Sequence, residues 1–511
     1  RNAGNEEIVL IYAKGLFNLA AKQEAEEAET TVKKLGELAG DSRYSGNEEI
    51  VLAYAKGLVN LAAKQEAREA ETTVEKLERL AGDSRYAGNE EIVLEYAKGL
   101  VNLAAKQEAR EAETTVEKLE ELAGDSRYAG NEEIVLAYAK GLFNLAMKQE
   151  AREAGNTVEK LEELAGDSRY AGNEEIVLAY AEGLFNLAAK QEAKEAGNTV
   201  EKLERLAGDS RYAGNEEIVL AYAEGLFNLA MKQEVKEAGK TVEKLKDLAG
   251  DRRYAGNEEI VLAYAKGLVN LSADQEVKEA ETTVEKLEEL AGYSRNAGNE
   301  EIVLIYAKGL FNLAAKQEAG EAETTVEKLE ELAGDSRNAG NEEIVLLYAE
   351  GLVHLGFLYY SQHDYEQAEK RFAQAHQLHC LNGSTNLCYM IRRRETKTRS
   401  LDEFKEILLS VWEEKNAFSV TNMALYLGEY EDDWHGADDL ISSLAETEDF
   451  SGVIDWWSHL EELEGLLVMT WLERNKICDP CYILEGENIL KSLCKRYPGI
   501  PDWMIEIRRE E

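Results

Sequence analysis

Three small groups of side chains in the last third of this chain have the residue types and spacing for chemistry. Cys478-Asp479-Pro480-Cys481 has the spacing of a redox pair or of half a zinc site. A thioredoxin-type pair needs a strand–helix context, and no βαβ pattern lies nearby. A zinc site needs two further ligands, for which Cys494 and His459 are the nearby candidates. The pair reads as a loop with two half-buried thiols, with metal or redox chemistry as the alternative. His363, His376 and His379 form the second group, two of them three apart on a helix. No carboxylate or Cys is placed to complete a catalytic set, so they read as surface histidines. Arg392, Arg393 and Arg394, with Lys397 and Arg399, are the one dense basic run. That run is either a solvated helix end, favourable at the negative dipole terminus, or a dock for an acidic segment.

All five Cys, six His, six Trp and three Pro lie beyond residue 353. The first two-thirds therefore lacks the usual nucleophile–base pairs and every usual metal ligand except carboxylates. No enzymatic activity and no cofactor or metal are expected. The net charge of −43 repels phosphate backbones, so nucleic acid is not an expected partner; basic protein segments are. No stretch reaches the roughly 18 consecutive apolar residues of a membrane span. An odd, clustered set of Cys favours a reducing compartment, and the expectation is cytoplasmic.

What must position these groups is a repeat. The string Gly-Asn-Glu-Glu-Ile-Val-Leu recurs at Gly4, Gly46, Gly88, Gly130, Gly172, Gly214, Gly256, Gly298 and Gly340, giving eight complete units of 42 residues. A fixed period of this length marks a solenoid, whose units bury apolar faces against their neighbours. Arg1-Asn2-Ala3 matches Arg295-Asn296-Ala297 and Arg337-Asn338-Ala339, so the chain reads as a fragment starting in mid-array.

Within the unit from Gly46, Asn47 suits a helix N-cap and Glu48-Glu49 suit the positive end of the helix dipole. Ile50, Leu52, Tyr54, Leu58, Val59 and Leu61 spread over a wide apolar face, as in a helix covered on two sides. No Gly or Pro marks the break after this helix, which only a resemblance to known helical repeats puts near Gln65-Glu66. A second helix follows, carrying Ala70, Val74, Leu77 and Leu80. Gly82 is expected to close it in a left-handed cap, and Asp83 to Gly88 form the link. Each unit is thus an expected helical hairpin, and the fold class all-α: a superhelix of stacked antiparallel hairpins.

The unit resembles the tetratricopeptide repeat: Tyr54, Gly57-Leu58 and Leu61 fall on the family's first-helix pattern, with its Leu-Gly pair inverted, and Ala70, Val74 and Leu77 on its second. It is longer than the family's usual unit and lacks the closing Pro. It looks like the 42-residue tetratricopeptide-like class that occurs as near-identical arrays in bacteria. Three divisions are expected: near-identical repeats over 1–339, a transitional ordinary repeat over 340–382, and degenerate tetratricopeptide or Sel1-like hairpins with a cap over 383–511. The transitional repeat has Leu352, Leu355-Gly356, Tyr359, Ala368, Phe372 and Ala375 on the family's positions, with Cys380 where Pro would close it. Farther on, Ala437, Ile441 and Leu444, then Gly486, Leu490, Leu493 and Pro498, keep parts of the pattern. Trp456-Trp457 with Leu460, Leu467 and Trp471 looks like a Sel1-type hairpin.

Two positional series run along the first helices. One holds Phe17, Val59, Val101, Phe143, Phe185, Phe227, Val269 and Phe311; the next holds Asn18, Asn60, Asn102, Asn144, Asn186, Asn228, Asn270 and Asn312. The first is either packing drift at the seam or the tuning of a groove. The second is either a polar ladder between hairpins or a set of ligand contacts. A further site alternates between Ala and Met, as at Ala63 and Met147. Gly155, Gly197 and Gly239 interrupt three second helices, where Gly costs up to about 1 kcal/mol against Ala.

The resemblance implies a non-enzymatic scaffold that receives a protein or peptide segment on first-helix surfaces. Arg392, Arg393 and Arg394 are a further candidate contact. Two other functions stay open: a regulatory arm of a larger bacterial effector with its catalytic domain upstream, and a spacer or filament formed by head-to-tail self-association.

Overall fold

A computed structural model describes residues 3–443, apart from Ser45, Ala87, Ala129, Ala171, Ala213, Ala255, residues 293–298, Ala339, residues 397–398 and residues 411–416. Among the described residues every regular element is an α-helix and there is no strand. The Cys478–Cys481 pair, Cys494, His459, the Trp456-Trp457 hairpin, Leu444 and the Gly486–Pro498 pattern lie outside the described residues.

The helices come in pairs with the period of the sequence. First helices include Glu48–Lys64, Glu90–Lys106, Glu132–Lys148 and Glu174–Lys190; their second helices are Ala67–Ala81, Ala109–Gly124, Ala151–Gly166 and Ala193–Gly208. The start is fixed as the sequence suggests: the Asn47 side chain accepts from the Ile50 N–H. The break falls at Gln65-Glu66, with no Gly or Pro. It is held by a polar pair instead. The Thr73 hydroxyl donates to Gln65 Oε1 at 2.6 Å, and the same bond recurs from Thr31 to Gln23 through to Thr325 and Gln317.

Two expectations about glycine need correction. Gly82 has φ −83 and ψ −7, a right-handed conformation, so it is no left-handed cap. The turn is made by the residues after it: the Tyr86 N–H donates to Asp83 O, and the Asp83 carboxylate takes the Arg85 N–H and guanidinium in a fork. That fork supplies the stop that a positive φ would otherwise provide. Gly155 does not interrupt its helix, which runs unbroken from Ala151 to Gly166.

Contacts gather into two compact units, Arg1–Leu271 and Ser272–Glu511. In the first, each second helix packs on its own first helix and on the first helix of the following repeat, and successive first helices also touch. Leu58, Leu61, Ala70 and Leu77 are 1% exposed or less, while Leu52, Tyr54, Val59 and Leu80 are half-buried. Close approach depends on one glycine per repeat: a Cβ on Gly141 would lie 2.5 Å from Leu119 Cδ1 of the preceding second helix. The glycine sits where two helices meet.

The second unit repeats this packing through the pair Glu300–Ala314 and Ala319–Gly334, then changes. Glu342–Ser361 is twenty residues and pairs with the shorter Tyr365–Gln377. By length and composition it is the one described helix apolar enough to cross a membrane; here it packs against four other helices. Phe372, Ala368 and Ala375 are buried, and a Cβ on Gly356 would strike the Phe372 ring. Leu381–Arg392, Leu401–Ser410, Ala417–Tyr430 and Trp434–Ser443 follow, with Ala437 buried in the last.

Candidate binding face

The residues of the two series sit on the first helices and meet across repeats. Phe17, Val59, Val101, Phe143, Phe185 and Phe227 are half-buried, as are Asn60, Asn102, Asn144, Asn186 and Asn228; Asn18 is exposed. Asn102 Nδ2 donates to Val59 O and Asn144 Nδ2 to Val101 O, each at 3.5 Å, so these two asparagines reach the preceding repeat. Asn186 instead donates to Glu182 O of its own helix at 2.9 Å. Beside them Met147 and Met231 are 49% and 61% exposed, the most open apolar side chains of this strip.

Sequence reasoning missed the strongest link of the strip. In most repeats a Lys at the end of the first helix, or two residues beyond it, grips the C-terminal carbonyls of the preceding first helix. Lys190 Nζ donates to Ala146 O, Met147 O and Gln149 O at 2.9, 2.7 and 2.6 Å. Lys232 does the same to Ala188, Ala189 and Gln191. Lys64, Lys106, Lys148 and Lys316 repeat the arrangement. A cation here satisfies carbonyls that the helix leaves unpaired and opposes the negative dipole end. The available signal was a Lys held at one position, at Lys22, Lys64, Lys106, Lys148, Lys190, Lys232 and Lys316, with Asp274 the exception.

Charge on the face follows one variable position. Lys14, Lys140 and Lys308 reach across to Glu49, Glu175 and Glu343 of the following repeat, at 2.9, 2.8 and 3.5 Å. Glu182 and Glu224 occupy the same position in two adjacent repeats, where the following repeat again supplies a carboxylate, Glu217 or Glu259. Burial, then the facing Glu217 carboxylate, raises Glu182 above the usual carboxylate range, against a smaller opposing effect of Lys140. Glu224 is raised by burial and then by Glu259, with Lys266 opposing. The two repeats thus carry a run of carboxylates without the cross-repeat Lys that Lys14, Lys140 and Lys308 supply in theirs.

Arg392 is placed differently from a solvated helix end, whereas Arg394 is exposed. Arg392 is 1% exposed, and its guanidinium faces Glu429 Oε2 at 3.3 Å. Arg393 pairs with Glu395 at 3.1 Å, and Arg394 lies over the Tyr430 ring. Arg392 therefore belongs to the interior, because a neighbouring helix supplies its carboxylate, and is not a solvated helix end. His376 is also drawn in: its Nδ1 lies 2.8 Å from Ser384 Oγ, and burial lowers its pKa. Burial raises the Cys380 thiol to about 11 and the Cys388 thiol to about 12. Both are free, and neither is a poised nucleophile at neutral pH. Among the described residues no group of three His, Cys, Asp or Glu is placed to hold a metal ion.

No family model and no curated protein match the chain. Among solved structures, an engineered protein is 19% identical with a TM-score of 0.43, covering 80% of this chain and 95% of its own. A second engineered protein is 20% identical with a TM-score of 0.32, covering 48% of this chain and 97% of its own. The class of protein is defined by the chain's own geometry: an all-α protein of repeated 42-residue helical hairpins.

Proposed function

We propose that the chain is a non-enzymatic scaffold of the tetratricopeptide-like class, binding a basic protein segment along its first helices. The observation that carries this reading is the substitution of Glu182 and Glu224 for the cross-repeat Lys. Glu182 and Glu224, each raised by burial and by the carboxylate it faces, are relieved when a Lys or Arg of a partner enters beside them. Exposed Met147 and Met231 on the same strip offer adaptable apolar contact beside that charge. Successive similar sites give avidity in place of one tight pocket. The burial of Ala368, Phe372 and Ala375, with the Phe372 ring against Gly356, supports the family reading.

The test is fluorescence anisotropy with a labelled Lys/Arg-rich peptide against the full chain. Binding that weakens with salt and falls at least tenfold in the double variant Glu182→Lys with Glu224→Lys supports the proposal. Equal binding by the variant, or none by the parent, refutes it.

A further inference from the structure

We infer that the eighth repeat carries a preformed binding site for one aromatic ring, made by the exchange of a tyrosine for Asn338. In six linkers the pattern Asp-x-Arg-Tyr lays a guanidinium over a tyrosine ring at 5.1 to 5.2 Å, as Arg127 does over Tyr128. Tyr128 is 4% exposed and packs with Val93, Ala81 and Leu122. Five periods on, those positions are Val303, Ala291, Leu332 and, in place of the tyrosine, Asn338.

A cavity of about 240 Å³ lies there, lined by Ala291, Val303, Leu332 and Asn338 together with Arg337, Tyr306, Glu288, Glu300 and Asp335. Its apolar wall is the set of side chains that the Tyr128 ring covers. Val51, Val93, Val135, Val177 and Val219 are all 1% exposed or less, whereas Val303 is only half-buried. An engineered apolar cavity of about 150 Å³ is large enough to take benzene, so a single ring fits this one.

The cation that would cover the ring is already clamped. Asp335 accepts from the Arg337 N–H at 2.9 Å and from its guanidinium at 3.1, 3.0 and 2.5 Å. The Asp125–Arg127 fork has the same four distances. Arg337 is therefore held where its counterparts meet a ring, and a ligand ring would gain the cation–π contact without ordering the side chain. Asn338 Nδ2 is directed to Leu332 O at 2.9 Å, and its short side chain leaves the ring volume open. The ligand class is a single six-membered aromatic ring with a small para substituent, the shape of a tyrosine side chain.

Equilibrium dialysis of the full chain against p-cresol tests the site. The expected result is saturable binding, with one molecule fewer per chain in Asn338→Tyr, which refills the slot and raises Tm. Ala291→Leu, which fills the cavity from its other side, should lose the same molecule, and guards against a misfolded first variant. Cyclohexanol, which has no π face, should bind at least tenfold more weakly. No saturable p-cresol binding, unchanged stoichiometry in both variants, or equal binding of cyclohexanol would overturn the inference.

Discussion

Lys190 Nζ lies 2.6 Å from the carbonyl oxygen of Gln149, forty-one residues earlier, so one repeat's last helical residue closes the helix of the repeat before it. The same Gln149 accepts the Thr157 hydroxyl through its side chain, which ties that closure to its own second helix. A single residue thus serves as hairpin turn and as anchor for the next hairpin. Lys190→Met keeps the aliphatic stem and removes the donor. A charge-assisted hydrogen bond contributes about 1.5–3 kcal/mol, so amide exchange in Glu174–Gly208 should accelerate by one to two orders of magnitude. Exchange in distant repeats should change little, because repeats couple mainly to neighbours.

Thr157→Val should cost about 1–3 kcal/mol, since it strands the buried Gln149 Oε1 without its donor. Urea denaturation measures this as a lower midpoint at unchanged slope.

Two glycine substitutions should act in opposite directions. Gly141→Ala places a Cβ against Leu119 and should destabilise by about 1–3 kcal/mol. Gly155 has nothing within 4 Å of an added Cβ and lies inside a helix, so Gly155→Ala should stabilise by up to about 1 kcal/mol. Thermal midpoints of the two variants, compared with the parent, check both signs.

Glu182→Lys should stabilise the chain at pH 7 by at most about 1 kcal/mol, the range of exposed ion pairs. A carboxylate whose folded pKa is raised contributes stability that is present below its unfolded pKa and lost as pH rises through the folded value. The advantage of the Glu182→Lys variant should therefore shrink as pH falls into the acid range where the parent's Glu182 regains its proton, which a pH series of urea midpoints measures.

The paired helices were legible because their apolar positions follow the helical period and Asn47 marks a start. The turn at Gln65-Glu66 carries no glycine or proline, and its Thr73 bond spans eight residues between elements, so local patterning does not reveal it. The role of Lys64 was missed because its partners lie in the preceding repeat. Gly82 misled for the converse reason: a glycine after a helix suggests positive φ, but the Asp83–Arg85 fork makes the turn without it. Arg392 read as surface because Glu429, its partner, is on another helix. Of the candidate face, the positions of Phe143 and Asn144 were legible, whereas the pairing of Glu182 with Glu217 required the stacking of repeats.

The central claim is that each hairpin binds its neighbours through contacts one period apart, so that whole units are interchangeable. Deleting residues 130–171 tests it most directly, with circular dichroism during thermal unfolding as the readout. Asn173 and Lys190 would then meet the partners that Asn131 and Lys148 now use, Glu90 and the carbonyls of Ala105 and Gln107. The account predicts unchanged helical signal per residue and a cooperative transition, with both lost when only the half-unit 151–171 is deleted. Loss of helix on removing the whole unit, or equal tolerance of both deletions, would contradict it.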